Sequence, residues 1–405
     1  MWLLNRRMSI SAVVNALLVL AVLFPFVPRI VPSTDTQPTF LLVFGLSLAV
    51  AVAAPVVSGK LYRVSLPGAT ALILGALVIY GSLVAANALQ DESTIPSRLV
   101  SFLQFGAAAV WGYAGKFRWN GKVLYGALLV YCAFTIVYFA TNGAFEDFLI
   151  QSRTEGAEFL FTSGRGARTL SPEPSFFALH IFNLFVLARI LSVPDTYGRT
   201  QAFTWLMLTV ACLASSLSAY GALLLVVVLF ATYPKVSALV GLVLLSSFSL
   251  LLSLASAWDS IRAIRVILAL VESRGRVAEL MVLDASFYGR MVSFTEYVAS
   301  FARHPFFGDG FSVYQGGGFV SVVAALGLVA LLFFAAVLNK IVRGNFSIST
   351  KAVLLIWLTL NFVSGPVGVP ILGVIVGTLF KPRRDAQWQA HPVVAAAGHR
   401  AVLIP

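Results

Sequence analysis

Apolar runs of about 20 residues, the length of helix that crosses the hydrocarbon core of a bilayer, recur along nearly the whole chain. Backbone inside hydrocarbon must satisfy its own hydrogen bonds, and a helix does so within a single segment. Charged residues make up only 11% of the 405 positions, against 59% hydrophobic. Soluble domains carry roughly a quarter charged residues, and the mean hydropathy here is +0.91. The expected fold class is therefore all-α integral membrane: a polytopic bundle of about 12 transmembrane helices with no room for a conventional soluble domain.

The first run, Met8 to Val27, follows Arg6 and Arg7 as a signal peptide would, but Val27-Pro28-Arg29 offers no small-residue cleavage site and further runs follow. It reads as a retained first helix. Spans are expected near 8–27, 39–57, 67–87, 98–115, 123–141, 173–192, 202–217, 219–233, 237–257, 317–339, 352–364 and 366–380. They form one membrane domain over 1–380, and 381–405 is a cytoplasmic tail. A single long helix over the last two spans would carry Lys381, Arg383 and Arg384 outward, so Ser364, Gly365, Pro366, Gly368 and Pro370 are read as a turn between two short ones. With the N-terminus inside, Lys60, Lys116, Lys122, Lys235, Lys340, Lys351 and Lys381 all face the cytoplasm, as the positive-inside bias expects. The net charge of +12 is scattered between spans rather than gathered in a basic arm, which points to orientation and anionic membrane lipid, not nucleic acid. Cys132 and Cys212 lie within apolar runs and suggest neither a disulfide framework nor a metal site.

Two outer connections are long, about 141–172 and 257–316, and an extracytoplasmic activity belongs there. In the second, Ser260 to Val271 is amphipathic, and Ser286 to Arg303 reads as a helix stopped by His304-Pro305. Under this topology every outward basic residue is arginine: Arg29, Arg98, Arg153, Arg165, Arg168, Arg262, Arg265, Arg274, Arg276, Arg290 and Arg303. Arginine recognises phosphate and carboxylate with a planar fork and keeps its charge. Pairing with Glu155, Glu158, Glu272, Glu279 and Asp284 explains any one of them; for the set, an anionic ligand explains the absence of lysine better.

The first loop ends in Ser163-Gly164-Arg165-Gly166-Ala167-Arg168, where glycines let backbone amides and guanidinium groups approach one anion together. Glu173 follows at the start of the sixth span, with Pro174 suited to the first helical turn; the plain alternative is a helix-dipole partner. His180 lies about two turns on, where a packed histidine is the commoner reading. In the second loop Arg290, Tyr297 and His304 repeat every seven residues as one polar stripe spanning roughly 21 Å, too long for one catalytic cluster. His304-Pro305-Phe306-Phe307-Gly308-Asp309-Gly310 reads by itself as a helix stop and turn. Metal-ligand spacing, a nucleotide-type glycine loop and a serine-nucleophile motif are all missing.

Three pieces together resemble the O-antigen polymerase and ligase superfamily of bacterial surface-polysaccharide assembly. They are the arginine-rich loop leading into Glu173-Pro174-Ser175, the serine-rich turn Ser215-Ser216-Leu217-Ser218-Ala219-Tyr220-Gly221, and Arg290 followed by His304-Pro305 and Gly308-Asp309-Gly310. The arginine or glycine often found within the family's serine-rich turn is absent here. The match covers about residues 150–335. Ligases of the family resemble one another in a His and a polar residue eleven positions ahead of a glycine; counted back from Gly327, those positions hold Gly316 and Gly317, which favours the polymerase branch.

The resemblance implies a Wzy-type polymerase of the bacterial inner membrane, with its active site on the periplasmic side. It would transfer a growing glycan from a polyprenyl pyrophosphate carrier to a lipid-linked repeat unit, without metal or other cofactor, and with a chain-length regulator protein as candidate partner. Glu173, Arg290 and His304 are then the expected catalytic residues, Glu173 first and His304 second as base. Arg165, Arg168, Arg303 and Tyr297 are the expected substrate-binding residues, with Arg165, Arg168 and Arg290 clamping the pyrophosphate. An O-antigen ligase of the same superfamily and a 12-helix transporter or flippase for an anionic lipid-linked glycan are the alternatives. Transporters place ionisable groups mid-membrane and carry inverted repeats; here the mid-span charges are nearly absent and no half-to-half repeat is seen.

Overall fold

The computed structural model describes residues 10–27, 37–58, 95–114, 119, 121–141, 145, 149–150, 169–191, 285–310, 317–363, 365 and 367–381. Among them the chain is helical, with no strand. The helices are α1 (Ile10–Leu23), α2 (Thr39–Ser58), α3 (Ile95–Ala114), α4 (Gly121–Thr141), α5 (Pro174–Ile190), α6 (Ala285–Arg303), α7 (Phe319–Leu326), α8 (Leu328–Arg343), α9 (Ile348–Val363) and α10 (Pro370–Phe380). The spans expected at 67–87, 202–217, 219–233 and 237–257, and the amphipathic segment 260–271, lie outside the described residues. By length and composition, Gly121–Tyr138 is the one described stretch long and apolar enough to cross a membrane; the other apolar stretches are shorter, such as Ser175–Ile190 and Pro370–Phe380.

Proline sets several boundaries, because its ring fixes φ and its missing N–H costs nothing in a first turn. Pro174 and Pro370 open α5 and α10 in this way. The turn expected between the last two spans is present: α9 stops at Val363 and α10 begins at Pro370. The single span expected over 317–339 is two helices. Gly327 adopts φ +62, a left-handed conformation that breaks the run into α7, whose residues Phe319–Ala325 are all buried, and the longer α8.

The core is built around α10, where Pro370 to Gly377 are buried without interruption. Its partner is α3, and the contact is backbone against backbone. Gly373 and Gly377, four residues apart, form a Gly-x-x-x-Gly face, and a Cβ on either would run into the Phe105 or Ala109 carbonyl. From the other side, a Cβ on Gly112 would come within 2.6 Å of the Val374 carbonyl oxygen. Small residues allow this approach, and dispersion over the contact holds the pair even where no water is expelled. This face had a sequence signal, a Gly-x-x-x-Gly within an apolar run, that the span reading passes over.

Helix α5 is the second central element, buried from Phe176 to Leu187. Asn183 on α5 accepts the Trp357 indole N–H at 2.8 Å and the Asn361 amide at 3.4 Å, tying α5 to α9 through buried polar groups. A buried hydrogen bond of this kind is costly to break because its partner is left unsatisfied.

Candidate functional site

His180 is a packed histidine. Its Nε2 lies 2.9 Å from the carbonyl oxygen of Leu23, which can only accept, so Nε2 carries the proton. Tyr131 donates to the same carbonyl at 2.9 Å. Leu23 ends α1, so these two side chains satisfy an acceptor that has left the helix ladder. The imidazole is enclosed by Phe26 and Tyr131, with ring centroids 6.0 and 5.6 Å away.

Two turns toward the start of α5, Glu173 occupies the N-cap position in extended conformation. Its backbone carbonyl begins the helix by accepting the N–H of Phe176 and Phe177, both at 3.1 Å. Its carboxylate makes no capping hydrogen bond; the Ser175 hydroxyl donates to Oε2 at 3.2 Å instead. The preceding residues Thr169 to Pro172 are buried, and Thr169 takes the unusual φ of +52 with its hydroxyl 3.5 Å from that of Thr135 on α4. Arg165 and Arg168 lie outside the described residues.

The second part of the site is the end of α6. Arg290 lies within this helix. Tyr297 faces inward and is buried with Val320 and Ala324 of α7. Its ring passes so close to Gly317 that a Cβ there would come within 2.6 Å of it. Tyr297 thus packs against α7, and the expected polar stripe is buried at its middle. At the end of the helix, His304 and Arg303 stay exposed and converge on Asp309. His304 Nε2 is 3.3 Å from Oδ1, Arg303 Nη2 is 3.5 Å from Oδ2, and the Ser300 hydroxyl donates to Oδ2 at 2.5 Å. The Asp309 side chain is 15% exposed, against 63% for His304 and 69% for Arg303.

The turn that carries Asp309 is docked on the break between α7 and α8. The Asp309 N–H donates to Ala324 at 3.0 Å, and the Leu328 N–H donates to Pro305 at 2.6 Å. Gly308 and Gly310 have φ of +69 and +74, which explains the Gly-x-Gly spacing in conformational terms. Gly308 also sits against the Ala325 carbonyl, leaving no room for a Cβ. Asp309 was not among the residues singled out from the sequence. Its only signal there is its place between two glycines, five positions after a histidine.

Contacts link α6 at Tyr297 to α5. Gly318, next to the residue under Tyr297, donates its N–H to Gly365 at 3.1 Å, and Gly365 packs against Leu179 of α5. Leu179 is six residues beyond Glu173, about 9 Å of helical rise. The structure thus gathers Arg303 and His304 with Ser300 and Asp309, whereas Glu173 stands at its own helix end with Ser175. Among the described residues, no group of three His, Cys, Asp or Glu side chains is placed to hold a metal ion.

No protein-family model, curated protein or solved structure matches the chain.

Proposed function

We propose that the chain is a polytopic inner-membrane polysaccharide polymerase of the Wzy type. It lengthens a glycan carried on polyprenyl pyrophosphate by passing it to a lipid-linked repeat unit at the periplasmic face. The observation that carries this reading is the docked turn His304–Gly310. Arg303 and His304 are gathered there around one carboxylate at the end of the helix that bears Arg290. About four turns of α6, roughly 21 Å, separate Arg290 from His304, so the helix carries both on one rigid element but at most one of them touches a given reacting bond.

Helix faces left uncovered support the membrane part of the proposal. On α2, Leu42 and Leu46 are four residues apart and largely exposed, at 56% and 66%; on α8, Val329 and Leu332 behave likewise. Contiguous exposed apolar surface is unfavourable in water and costs nothing against lipid tails. From Gly327 to the last turn with Lys340 and Arg343, the 16 residues of α8 rise about 24 Å. That length separates the docked turn from the cations, and the positive-inside bias would put the cations at the inner end.

In the proposed reaction, the acceptor sugar's hydroxyl oxygen forms the new bond to the donor's anomeric carbon. The bond from that carbon to the pyrophosphate oxygen breaks, its electron pair leaving on the phosphate. Arg165, Arg168 and Arg290 stabilise the charge that grows there, and such preorganised donors are worth about 2.7–4 kcal/mol each. Glu173 is the first choice to take the hydroxyl proton and His304 the second; His304 lies roughly 21 Å along α6 from Arg290, so it and an Arg290 clamp do not serve the same bond. Incubating purified protein with lipid-linked repeat units, and separating the products by size, tests the reading: a ladder of extended glycans is expected.

The interruption between α9 and α10 favours one second reading, since transporters also build sites at broken helices. A flippase would move the lipid-linked unit across vesicles without lengthening it.

A further inference from the structure

We propose that the turn between α8 and α9 binds one anionic phospholipid of the inner leaflet. Its headgroup phosphate is held by Lys340, Arg343 and Lys351, and an acyl chain lies along Leu338 and Val342. The inference rests on the membrane reading of the chain and is independent of the reaction.

The case begins with charge. Lys340 and Arg343 stand in the last turn of α8. Lys351, near the start of α9, reaches back and donates from Nζ to the Val342 carbonyl at 2.7 Å. Three cations thus meet at one helix end. A helix C-terminus attracts cations, but its charge amounts to only about −0.5. Two of its carbonyls are also occupied, Val342 by Lys351 and Lys340 by the Gly344 N–H at 2.9 Å. The dipole therefore balances a small part of the positive charge. Carboxylates do not balance the rest. Among the described residues the carboxylates are Glu173, Glu296 and Asp309, and none of them pairs with these three cations. The sequence holds no Asp or Glu between Gly310 and Arg384.

The surface beside the cations is apolar. Leu338 and Val342, four residues apart on α8, are 42% and 52% exposed, and Ile348 at the start of α9 is 88% exposed. They continue the uncovered side of α8 that begins at Val329 and Leu332. An apolar face that ends in three cations fits an amphiphile with tails along the helix and a phosphate at its end. Free phosphate would engage the cations and leave the apolar face unused. Arg343 adds a planar fork that matches two phosphate oxygens at once. The frame beneath is fixed: the Phe346 N–H donates to Gly344 at 2.9 Å, and the Ser347 hydroxyl accepts the Thr350 N–H at 3.3 Å.

Photocrosslinking of full-length protein in nanodiscs tests the site. The probe is phosphatidylglycerol with a photoreactive group beside its phosphate, compared with phosphatidylcholine of the same design. Mapped by mass spectrometry, the phosphatidylglycerol probe should label residues 338–351 about fivefold or more above the phosphatidylcholine probe. Unlabelled phosphatidylglycerol should compete, and inorganic phosphate should not. Lys340→Gln and Arg343→Gln should each lower the preference about fivefold, since one cation near an anionic surface is worth about that factor. Arg343→Lys should lower it as well, because the charge stays and the fork is lost. These side chains stand at the surface turn, so thermal unfolding of each variant should match wild type. An unchanged preference in Arg343→Lys, or its collapse in roughly 1 M salt, would reduce the site to a diffuse positive surface and overturn the proposal. Competition by inorganic phosphate would make it a bare anion site and overturn the lipid. Equal labelling by both probes would also overturn the lipid site, while leaving the membrane reading in place. A turn labelled by neither probe, with other helix ends labelled, would overturn both the site and the membrane reading of α8.

Discussion

Gly327 and Gly308 lie back to back: a Cβ on Gly327 would come within 2.7 Å of the Gly308 backbone nitrogen. Both have positive φ, so each position combines a left-handed conformation with a close approach of backbone. Gly327→Ala should therefore destabilise the protein by about 2 kcal/mol or more, since the strained φ alone costs roughly 1–2 kcal/mol and the neighbouring atoms are main chain. Thermal unfolding of purified protein in detergent reads this. An unchanged transition would mean that the turn is not docked as described.

The α3–α10 contact gives an independent test of the packing. Gly377→Leu should destabilise by about 1–3 kcal/mol, because the helices must separate to admit the side chain. Gly126 on α4 has open space around it, so Gly126→Ala should be neutral or stabilising by about 0.5 kcal/mol. Equal effects at the two glycines would contradict backbone-to-backbone packing of α3 and α10.

How much of this was legible in the sequence depends on whether the signal was local. The start of α5 was visible at Pro174 and the end of α6 at His304-Pro305, because proline acts on its own backbone whatever surrounds it; the turn before α10 was visible too, though the span was expected from 366 and begins at Pro370. The break at Gly327 was not visible. Apolar residues continue unbroken on both sides, and the positive φ is imposed by residues 305–309 docking from another part of the chain. The packing of Tyr297 was hidden for a related reason: seven-residue spacing showed that it shares a helix face with His304, but not that Gly317 clears room for its ring. Asp309 showed only as the middle of Gly308-Asp309-Gly310, since its contacts exist only once the turn brings it back over Ser300 and His304.

Sidedness can be checked by cysteine labelling in a background with Cys132 and Cys212 replaced. Cysteines at Ser163 and Ser273 should react with an impermeant reagent added outside intact cells, and one at Asn345 only after permeabilisation. Asn345 is exposed, whereas nearby Thr350 is buried and would report burial instead of sidedness. Labelling in the opposite sense would overturn the shared outer face of the two long loops.

Arg290 and Glu173 separate charge from geometry. If Arg290 clamps pyrophosphate, Arg290→Lys should fail nearly as badly as Arg290→Ala, about a hundred- to a thousandfold in rate, because lysine keeps the charge and loses the fork. With Glu173 as the base, Glu173→Gln should leave the protein folded yet remove turnover, whereas a helix-dipole partner would cost about 1 kcal/mol or less of stability and leave turnover near normal. Initial rates normalised to folded protein distinguish the two, and near-wild-type turnover in Glu173→Gln would remove Glu173 from the mechanism.

Whether this chain joins lipid-linked glycans is tested most directly by supplying purified protein in nanodiscs with one lipid-linked repeat unit and following product length over time. A ladder rising in whole repeat units is expected, with polyprenyl pyrophosphate released at each step and no ladder from the Arg290→Ala variant. Repeat units recovered at their original length, or moved across the bilayer without being joined, would contradict it.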